Sequence, residues 1–143
     1  MHILESHQVD IKYIRIDISE SMLVAHHELF SVIDTLNALG VRVYLDDFGL
    51  APTGFQYVKK LGIHGIKIAP SFIKNIGQSV KEERVIQSMI TKAHRMHVTV
   101  LAEGVETQAQ FDFLKRHHCD AVQGYHVSEP ISAELIARLV KSL

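Results

Sequence analysis

The sequence has few of the features that mark secreted, membrane-spanning or disulfide-rich proteins. It has one cysteine in 143 residues, so no internal disulfide can form and a metal site built from several thiolates is excluded. No apolar run approaches the roughly 18 residues of a transmembrane helix, and the N-terminus lacks the apolar core of a secretory signal. We therefore expect a cytoplasmic protein, with Cys119 as a buried and inert thiol.

Positive charge is not in excess either. The chain has 15 Lys and Arg against 16 Asp and Glu, a formal net charge of -1, and no block of basic residues. Binding to duplex nucleic acid depends on neutralising phosphates, so this balance argues against it. A small phosphate ligand held through metal ions remains compatible with it. The apolar fraction of 47% and the length predict one globular domain over residues 1–143.

Short β-branched segments alternate with longer segments of helical periodicity, which is typical of repeated βα units and a parallel sheet. We predict five strands, at Tyr13–Ile18, Val41–Asp46, Gly65–Ala69, Val98–Ala102 and Ala121–Gln123. Helices are predicted at about Met22–Leu39, Thr53–Leu61, Val80–His97, Thr107–His117 and Ser132–Ser142. The pattern therefore indicates an α/β fold.

The predicted strands alternate aliphatic and polar residues, whereas strands buried on both faces are almost continuously apolar. Because side chains alternate along a strand, one face can pack on helices while the polar residues share the other. The polar residues at the C-terminal ends of the five strands are Asp17, Asp46, Lys67, Glu103 and Gln123. Active sites of (β/α) barrels form at that end. We therefore predict a polar site at this rim.

Carboxylates that converge at a rim repel one another unless positive charge lies among them. Hard oxygen ligands favour divalent ions such as Mg²⁺ or Mn²⁺. The consecutive Asp46 and Asp47 can hold a pair of ions, and such a pair generates a hydroxide and stabilises in-line displacement at phosphorus. Lys67 would offset negative charge, and Gln123 would bind ligand or water. The alternative is that Asp46 and Asp47 only cap a helix and solvate a loop.

Several motifs together resemble the EAL domain of cyclic di-GMP phosphodiesterases. They are D-D-F-G at Asp46–Gly49, A-E-G-V-E-T at Ala102–Thr107, Q-G-Y at Gln123–Tyr125 and I-D-I-S-E-S at Ile16–Ser21. The resemblance covers about residues 13–143. It implies a partial TIM-like (β/α) barrel of EAL type, with about five parallel strands and flanking helices. The activity that it implies is metal-dependent hydrolysis of cyclic di-GMP to linear pGpG, in bacterial signal transduction.

The resemblance also implies roles for the residues that match the family motifs. The ligands of Mg²⁺ or Mn²⁺ would be Asp17, Asp46, Asp47 and Glu103. Glu103 would also be catalytic, together with Lys67, close to the attacking water.

The same resemblance implies roles for two further pairs of residues. Gln123 and Tyr125 would contact the substrate, cyclic di-GMP. Tyr125 can equally pack at the barrel mouth. Glu20 and Glu106 would be supporting carboxylates, with Glu20 bracing the loop after D-D-F-G.

The sequence departs from the family pattern at functional positions. The metal-ligating Glu of the E-A-L tripeptide and an Asn ligand cannot be assigned, as expected if the N-terminal half of the barrel is absent. Asp17 replaces a Glu, Ala69 replaces the Asp of K-I-D, and Leu50–Pro52 replaces T-G-Y. We therefore expect a degenerate domain with weak or no hydrolysis by this chain alone. The alternatives are a non-catalytic cyclic di-GMP receptor and a protein-interaction module.

An open sheet of five parallel strands has two unpaired edges and one uncovered face. Proteins normally cover such edges, because exposed strands pair with other chains. We therefore expect a homo-oligomer or a partner protein to cover them, unless the other half of the barrel does so.

Overall fold

A computed structural model of the protein describes residues 6–51 and 54–142. Within these residues one parallel sheet contains five strands, which lie side by side in chain order. The strands are β1 (Arg15–Ser19), β2 (Arg42–Phe48), β3 (Gly65–Ile68), β4 (Thr99–Glu103) and β5 (Ala121–Gln123). The predicted fold class, α/β with five parallel strands and flanking helices, is confirmed.

Helices connect and follow the strands. They are α1 (Glu20–Ala25), α2 (Leu29–Ala38), α3 (Phe55–Lys60), α4 (Pro70–Ile73), α5 (Val80–Arg95), α6 (Gln108–Arg116) and α7 (Ala133–Ser142). Among the helices of the described segments, none combines the length and the apolar character needed to cross a membrane.

Two predictions of secondary structure near the N-terminus are wrong. Tyr13 belongs to a short 3-10 helix, and β1 begins only at Arg15. The single helix predicted over Met22–Leu39 is two helices, α1 and α2, because His26 leaves the helical region with φ -129° and ψ 84°. The apolar spacing continues across this break, so periodicity alone does not show it. Thr53, the predicted start of the next helix, lies outside the described residues.

The aliphatic face of the central strands forms the core against the helices. Val43, Leu45, Ile66, Ile68 and Val100 are completely buried. Strand β1 differs, since Ile16 on its predicted helix-facing side is 38% exposed. The core is therefore complete over β2–β4 and open at the β1 edge.

The start of α6 fixes the segment that follows β4. Thr107 is its N-cap and accepts a hydrogen bond from the Gln110 backbone N–H. The buried Gln110 side chain in turn accepts from the backbone N–H groups of Thr107 and Glu106, at 3.0 and 2.8 Å. Such a capping box satisfies N–H groups that a helix start leaves unpaired, and it ties the A-E-G-V-E-T segment to α6.

Cys119 precedes β5 and is half-buried. Its Sγ lies 3.5 Å from the Val100 carbonyl oxygen and 3.3 Å from that of Ala121. Burial raises the pKa of this thiol to about 11. Because the thiolate is the reactive form, this raised pKa agrees with the predicted inert thiol, although the side chain is half-buried rather than fully buried.

Candidate active site

The middle and C-terminal parts of the first four strands bring three carboxylates to one ammonium group. Lys67 Nζ lies 3.2 Å from Asp17 Oδ2, 3.3 Å from Asp46 Oδ1 and 2.6 Å from Glu103 Oε1. These four residues are called the Lys67 cluster below. Lys67 itself is only 6% exposed. The structure therefore brings together, on one sheet face, four of the five polar residues that the strand alternation placed there.

The charges of the Lys67 cluster shift the proton affinities of its members. Burial alone would lower the pKa of Lys67, but the hydrogen bonds and charges of Glu103 and Asp17 outweigh it and raise that pKa. Burial raises the pKa of Glu103; the Lys67 ammonium opposes this rise and the neighbouring Asp46 adds to it. A carboxyl with a raised pKa can accept and release a proton closer to neutral pH. Glu103 is therefore the member best suited to acid–base chemistry.

Asp46 and Asp47 occupy different environments although they are adjacent. The pairing of β2 with β3 shifts register between Leu45 and Phe48, and Asp47 adopts a left-handed φ of 54°. Asp46 Oδ1 accepts a hydrogen bond from the Asp47 backbone N–H at 2.9 Å. Asp46 also contacts Lys67, whereas Asp47 is exposed. At the end of β2, Asp46 therefore lies in the Lys67 cluster, whereas Asp47, in its left-handed conformation, faces solvent.

Glu20, the first residue of α1, is 1% exposed and holds the loop that follows β2. Its Oε2 accepts hydrogen bonds from the backbone N–H groups of Gly49 and Ala51, at 2.9 and 3.2 Å. Gly49 has φ +100°, and a Cβ there would overlap the Met89 and Phe72 side chains. The loop after D-D-F-G is thus fixed from one side by a buried carboxylate and from the other by apolar packing.

We expect Glu20→Ala to destabilise the protein by about 2 kcal/mol, because it leaves two partly buried backbone N–H groups without an acceptor. The effect should be local as well as global. Hydrogen exchange of the Gly49 and Ala51 amides should become faster relative to the core amides of β3. Glu20→Gln keeps one acceptor oxygen and should retain most of the protection. Unchanged exchange at both amides in Glu20→Ala would show that the loop does not depend on this carboxylate.

The remaining predicted residues lie at the ends of β4 and β5. Gln123 is the register partner of Glu103 and is exposed, and Tyr125, two residues later, is 66% exposed. The Glu106 side chain is exposed, and within residues 6–51 and 54–142 its carboxylate forms no ion pair. The structure thus places Gln123 beside the Lys67 cluster but does not bring Glu106 into it.

The sequence analysis missed Arg15 and Tyr44. Arg15 binds Asp17 through two bonds, from Nε to Oδ1 at 2.8 Å and from Nη2 to Oδ2 at 3.2 Å. Its guanidinium lies 4.8 Å from the centre of the Tyr44 ring, which is 7% exposed. The available signal was the spacing of two residues, which places Arg15 and Asp17 on one face of β1.

The donor atoms of the Lys67 cluster have the right chemistry for a divalent ion. Asp17, Asp46 and Glu103 offer hard carboxylate oxygens, of the kind that Mg²⁺ and Mn²⁺ prefer. Each of them, however, is in contact with Lys67. Over the described ranges, no group of three or more His, Cys, Asp or Glu residues is arranged to hold a metal ion. The described residues therefore supply ligands without forming a complete shell.

Comparison with known proteins gives one family. The sequence profile of the EAL domain matches residues 1–130, so the similarity begins before Tyr13, where the motifs placed its start. The chain is 30% identical over 142 residues to the cyclic di-GMP phosphodiesterase NbdA of Pseudomonas aeruginosa. This alignment covers 99% of the chain and 18% of NbdA, so the chain spans less than a fifth of that protein.

Solved structures agree with this family. The EAL domain of Mycobacterium smegmatis DcpA matches with a TM-score of 0.89 and 27% identity, over 99% of this chain and 64% of that one. The phosphodiesterase MucR of Pseudomonas aeruginosa, in complex with c-di-GMP, matches with a TM-score of 0.87 and 26% identity. That match covers 94% of this chain and 55% of the MucR chain.

Proposed function

The chain belongs to the EAL domain family, and we propose that its Lys67 cluster is the part of a cyclic di-GMP site that faces the phosphodiester. The domain is related to cyclic di-GMP phosphodiesterases. The observation that carries the proposal is the convergence of Asp17, Asp46 and Glu103 on Lys67, toward the C-terminal ends of parallel strands. Sites of (β/α) barrels form at this end.

The ligands that this chain would supply to Mg²⁺ or Mn²⁺ are Asp17, Asp46, Asp47 and Glu103. A bound divalent ion lowers the pKa of a water molecule and offsets negative charge at phosphorus. Lys67 Nζ holds three of these carboxylates in place and adds positive charge at the rim. The raised pKa of Glu103 suits its carboxylate to take a proton from the attacking water.

Two exposed residues at the end of β5 complete the proposed substrate contacts. Gln123, beside Glu103 in the sheet, offers both a hydrogen-bond donor and an acceptor to the ligand. The exposed ring of Tyr125 can stack on a purine base. Supporting carboxylates are Glu20, through the loop that follows Asp46 and Asp47, and Glu106.

We propose that hydrolysis by this chain alone is weak or absent, because the ligand shell is incomplete within the described residues. The second candidate function is that of a non-catalytic cyclic di-GMP receptor or a protein-interaction module. The internal charge compensation of the rim favours it. Lys67 and Arg15 together already bind three of the four carboxylates proposed as metal ligands, namely Asp17, Asp46 and Glu103.

The activity is tested by incubating the chain with cyclic di-GMP and Mn²⁺ or Mg²⁺ and measuring pGpG by chromatography. We expect turnover to be slow or undetectable, and any turnover to be abolished by Asp46→Ala. Asp34→Ala removes an equally charged, exposed residue of α2 and should leave turnover unchanged. Turnover that survives Asp46→Ala would contradict the assignment of the site.

Binding without hydrolysis is measured by calorimetric titration with cyclic di-GMP in Ca²⁺. A receptor should bind the dinucleotide, and Asp46→Ala should weaken this binding. Absence of both turnover and binding would remove the cyclic di-GMP site from the proposal and leave the protein-interaction module.

We also propose that the isolated chain self-associates or takes up a partner protein. β1 and β5 are the edges of the sheet, and β1 is exposed on both faces, as Arg15 and Ile16 show. An exposed parallel edge with an aliphatic side chain favours pairing with another chain. Light scattering coupled to size exclusion should give a mass above that of the 16.1 kDa monomer. A compact monomer over a wide range of concentrations would contradict this expectation.

A further inference from the structure

We propose that the outward face of α5 binds an extended, acidic segment of a partner protein. This face forms a groove of about 470 Å³, called the α5 groove below. The groove is lined by six exposed residues, which are Arg84, Gln87, Ser88, Thr91, Lys92 and Arg95. The inference rests on the second candidate function, the protein-interaction module, and is independent of the cyclic di-GMP site.

The α5 groove lies on the side of the helix that faces away from the core. Its six residues recur three or four positions apart, so they share one face of the helix. The other side carries Ile86, Ile90 and Ala93, which are buried. Packing on the sheet therefore fixes the orientation of α5 and presents the groove to solvent.

The positive charge of the groove is not balanced by acidic residues of the same helix. Arg84, Lys92 and Arg95 are cationic, and none of the six lining residues is acidic. The acidic residues of α5 are Glu82 and Glu83, in its first turn. Glu83 Oε1 accepts a hydrogen bond at 2.8 Å from a backbone N–H of the preceding loop, and Glu82 Oε2 is buried. Three cations therefore face solvent together in a chain whose formal net charge is -1.

The cations of the groove are free to meet an anion. Within residues 6–51 and 54–142, neither Arg84 nor Arg95 forms an ion pair. Lys92 Nζ lies over the Phe55 ring, 4.7 Å from its centre. Such a contact orients the ammonium group and leaves its N–H donors for a ligand. The groove thus offers charged donors without acceptors.

The spacing of the cations selects the kind of anion. Arg84 and Arg95 are eleven positions apart in the chain. On a helix this separation is about 16 Å, which is the length of about five residues of extended peptide. A single phosphate group cannot span it. Phosphate sites on helices also use the free N–H groups of an N-terminus, whereas the N–H groups in the middle of α5 are bonded within the helix. A segment with carboxylates on alternate residues matches both the spacing and the charge.

Two other anionic partners fit the groove less well. A helix that lies on a membrane inserts apolar side chains, but between its cations the groove presents only Gln87, Ser88 and Thr91. Nucleic acid binding gains its affinity from many phosphate contacts, which the net negative charge of the chain opposes. Amide and hydroxyl groups instead suit the backbone and the carboxylates of a peptide.

The test measures binding of a fluorescein-labelled peptide of alternating Glu and Ser to the full chain, by fluorescence anisotropy at low salt. We expect the unmodified chain to bind this peptide, and added salt to weaken the binding. A peptide with Gln in place of Glu should not bind. Arg84→Gln combined with Arg95→Gln should raise the Kd about tenfold, a few-fold for each exposed ion pair that is lost.

The matched control is Lys115→Gln combined with Arg116→Gln. It removes two exposed cations from α6, so the net charge changes by the same amount. This control should change the Kd by about twofold at most. Equal loss of binding in both double variants would overturn the inference, because a general charge effect would then explain the binding. Absence of binding by the unmodified chain would overturn it as well.

Charge reversal tests whether the groove itself selects the ligand. Arg84→Glu combined with Arg95→Glu should abolish binding of the acidic peptide and create binding of the corresponding Lys–Ser peptide. Tighter binding of a single-stranded oligonucleotide, or of phosphatidylserine vesicles, than of the acidic peptide would overturn the inference. Thermal unfolding of each variant confirms that it is folded.

Calorimetric titration with cyclic di-GMP keeps this inference separate from the proposed cyclic di-GMP site. Arg84→Gln combined with Arg95→Gln should leave that titration unchanged. Loss of peptide binding alone would then remove the α5 groove and leave the cyclic di-GMP site standing. A variant that also lost cyclic di-GMP binding would contradict the independence of the two sites.

Discussion

Replacement of Lys67 with methionine is expected to lower the free energy of unfolding by about 3 kcal/mol at neutral pH. Removal of one partner from a buried charge network leaves the other partners uncompensated, and this typically costs more than the network contributes as a whole. Lys67 is 6% exposed and contacts all three carboxylates of its cluster. Among the contacts of the described residues, Asp46 and Glu103 have no other salt-bridge partner, so they bear most of the loss.

The measurement is urea denaturation of the full chain at two pH values. Glu103 has a raised pKa in the folded state, so its contribution to stability is present at low pH and is lost as the pH rises through that pKa. Without Lys67, whose charge opposes the rise, the pKa of Glu103 should be higher still. The difference between Lys67→Met and the unmodified protein should therefore shrink as the pH falls toward the ordinary carboxyl range.

Two further variants control this result. Lys59→Met removes an exposed lysine of α3 and should leave the stability unchanged. Glu103→Gln in the Lys67→Met background removes one uncompensated charge and should recover part of the loss. An exposed ion pair contributes at most about 1 kcal/mol. If Lys67→Met lowered the free energy of unfolding by well below that amount, water would already compensate the charges of the carboxylates.

The position of the Lys67 cluster could be predicted because strand periodicity leaves little freedom. Once the aliphatic residues of a strand pack on helices, residues two positions apart must share the opposite face. Asp17, Asp46, Lys67 and Glu103 follow from this rule alone, and all five strands were found within two residues of their predicted limits. The common rim followed from the strands being parallel.

What could not be predicted depends on contacts between strands and on local backbone conformation. Lys67 was expected to offset negative charge close to the attacking water, and the structure shows that it binds three carboxylates at once, which sequence spacing does not reveal. The Arg15 contact with Tyr44 depends on the register of β1 against β2. The left-handed conformation of Asp47 follows an irregularity of pairing between β2 and β3.

Gly65→Ala is expected to destabilise the protein by about 3 kcal/mol, at the upper end of the cost of overpacking a core. Gly65 is the register partner of Tyr44, and a Cβ at Gly65 would overlap the Tyr44 ring. The Tyr44 ring is 7% exposed and lies under the Arg15 guanidinium, so it has little room to move away from an added Cβ. Urea denaturation measures the loss. Gly77→Ala is the control, because a Cβ at Gly77 would meet nothing within 4 Å. Only the backbone strain at its φ of +84° would lower the free energy of unfolding, by about 1 kcal/mol.

Removal of the Tyr44 ring would also relieve the overlap, so a second substitution can test whether the ring causes the loss of stability. Tyr44→Ala removes the ring, so in that background Gly65→Ala should cost much less than it does alone. Strictly additive losses would show that the ring is not the obstacle. The same displacement should reach the candidate site, because a Tyr44 ring pushed away from Gly65 moves against Arg15 and disturbs its hold on Asp17.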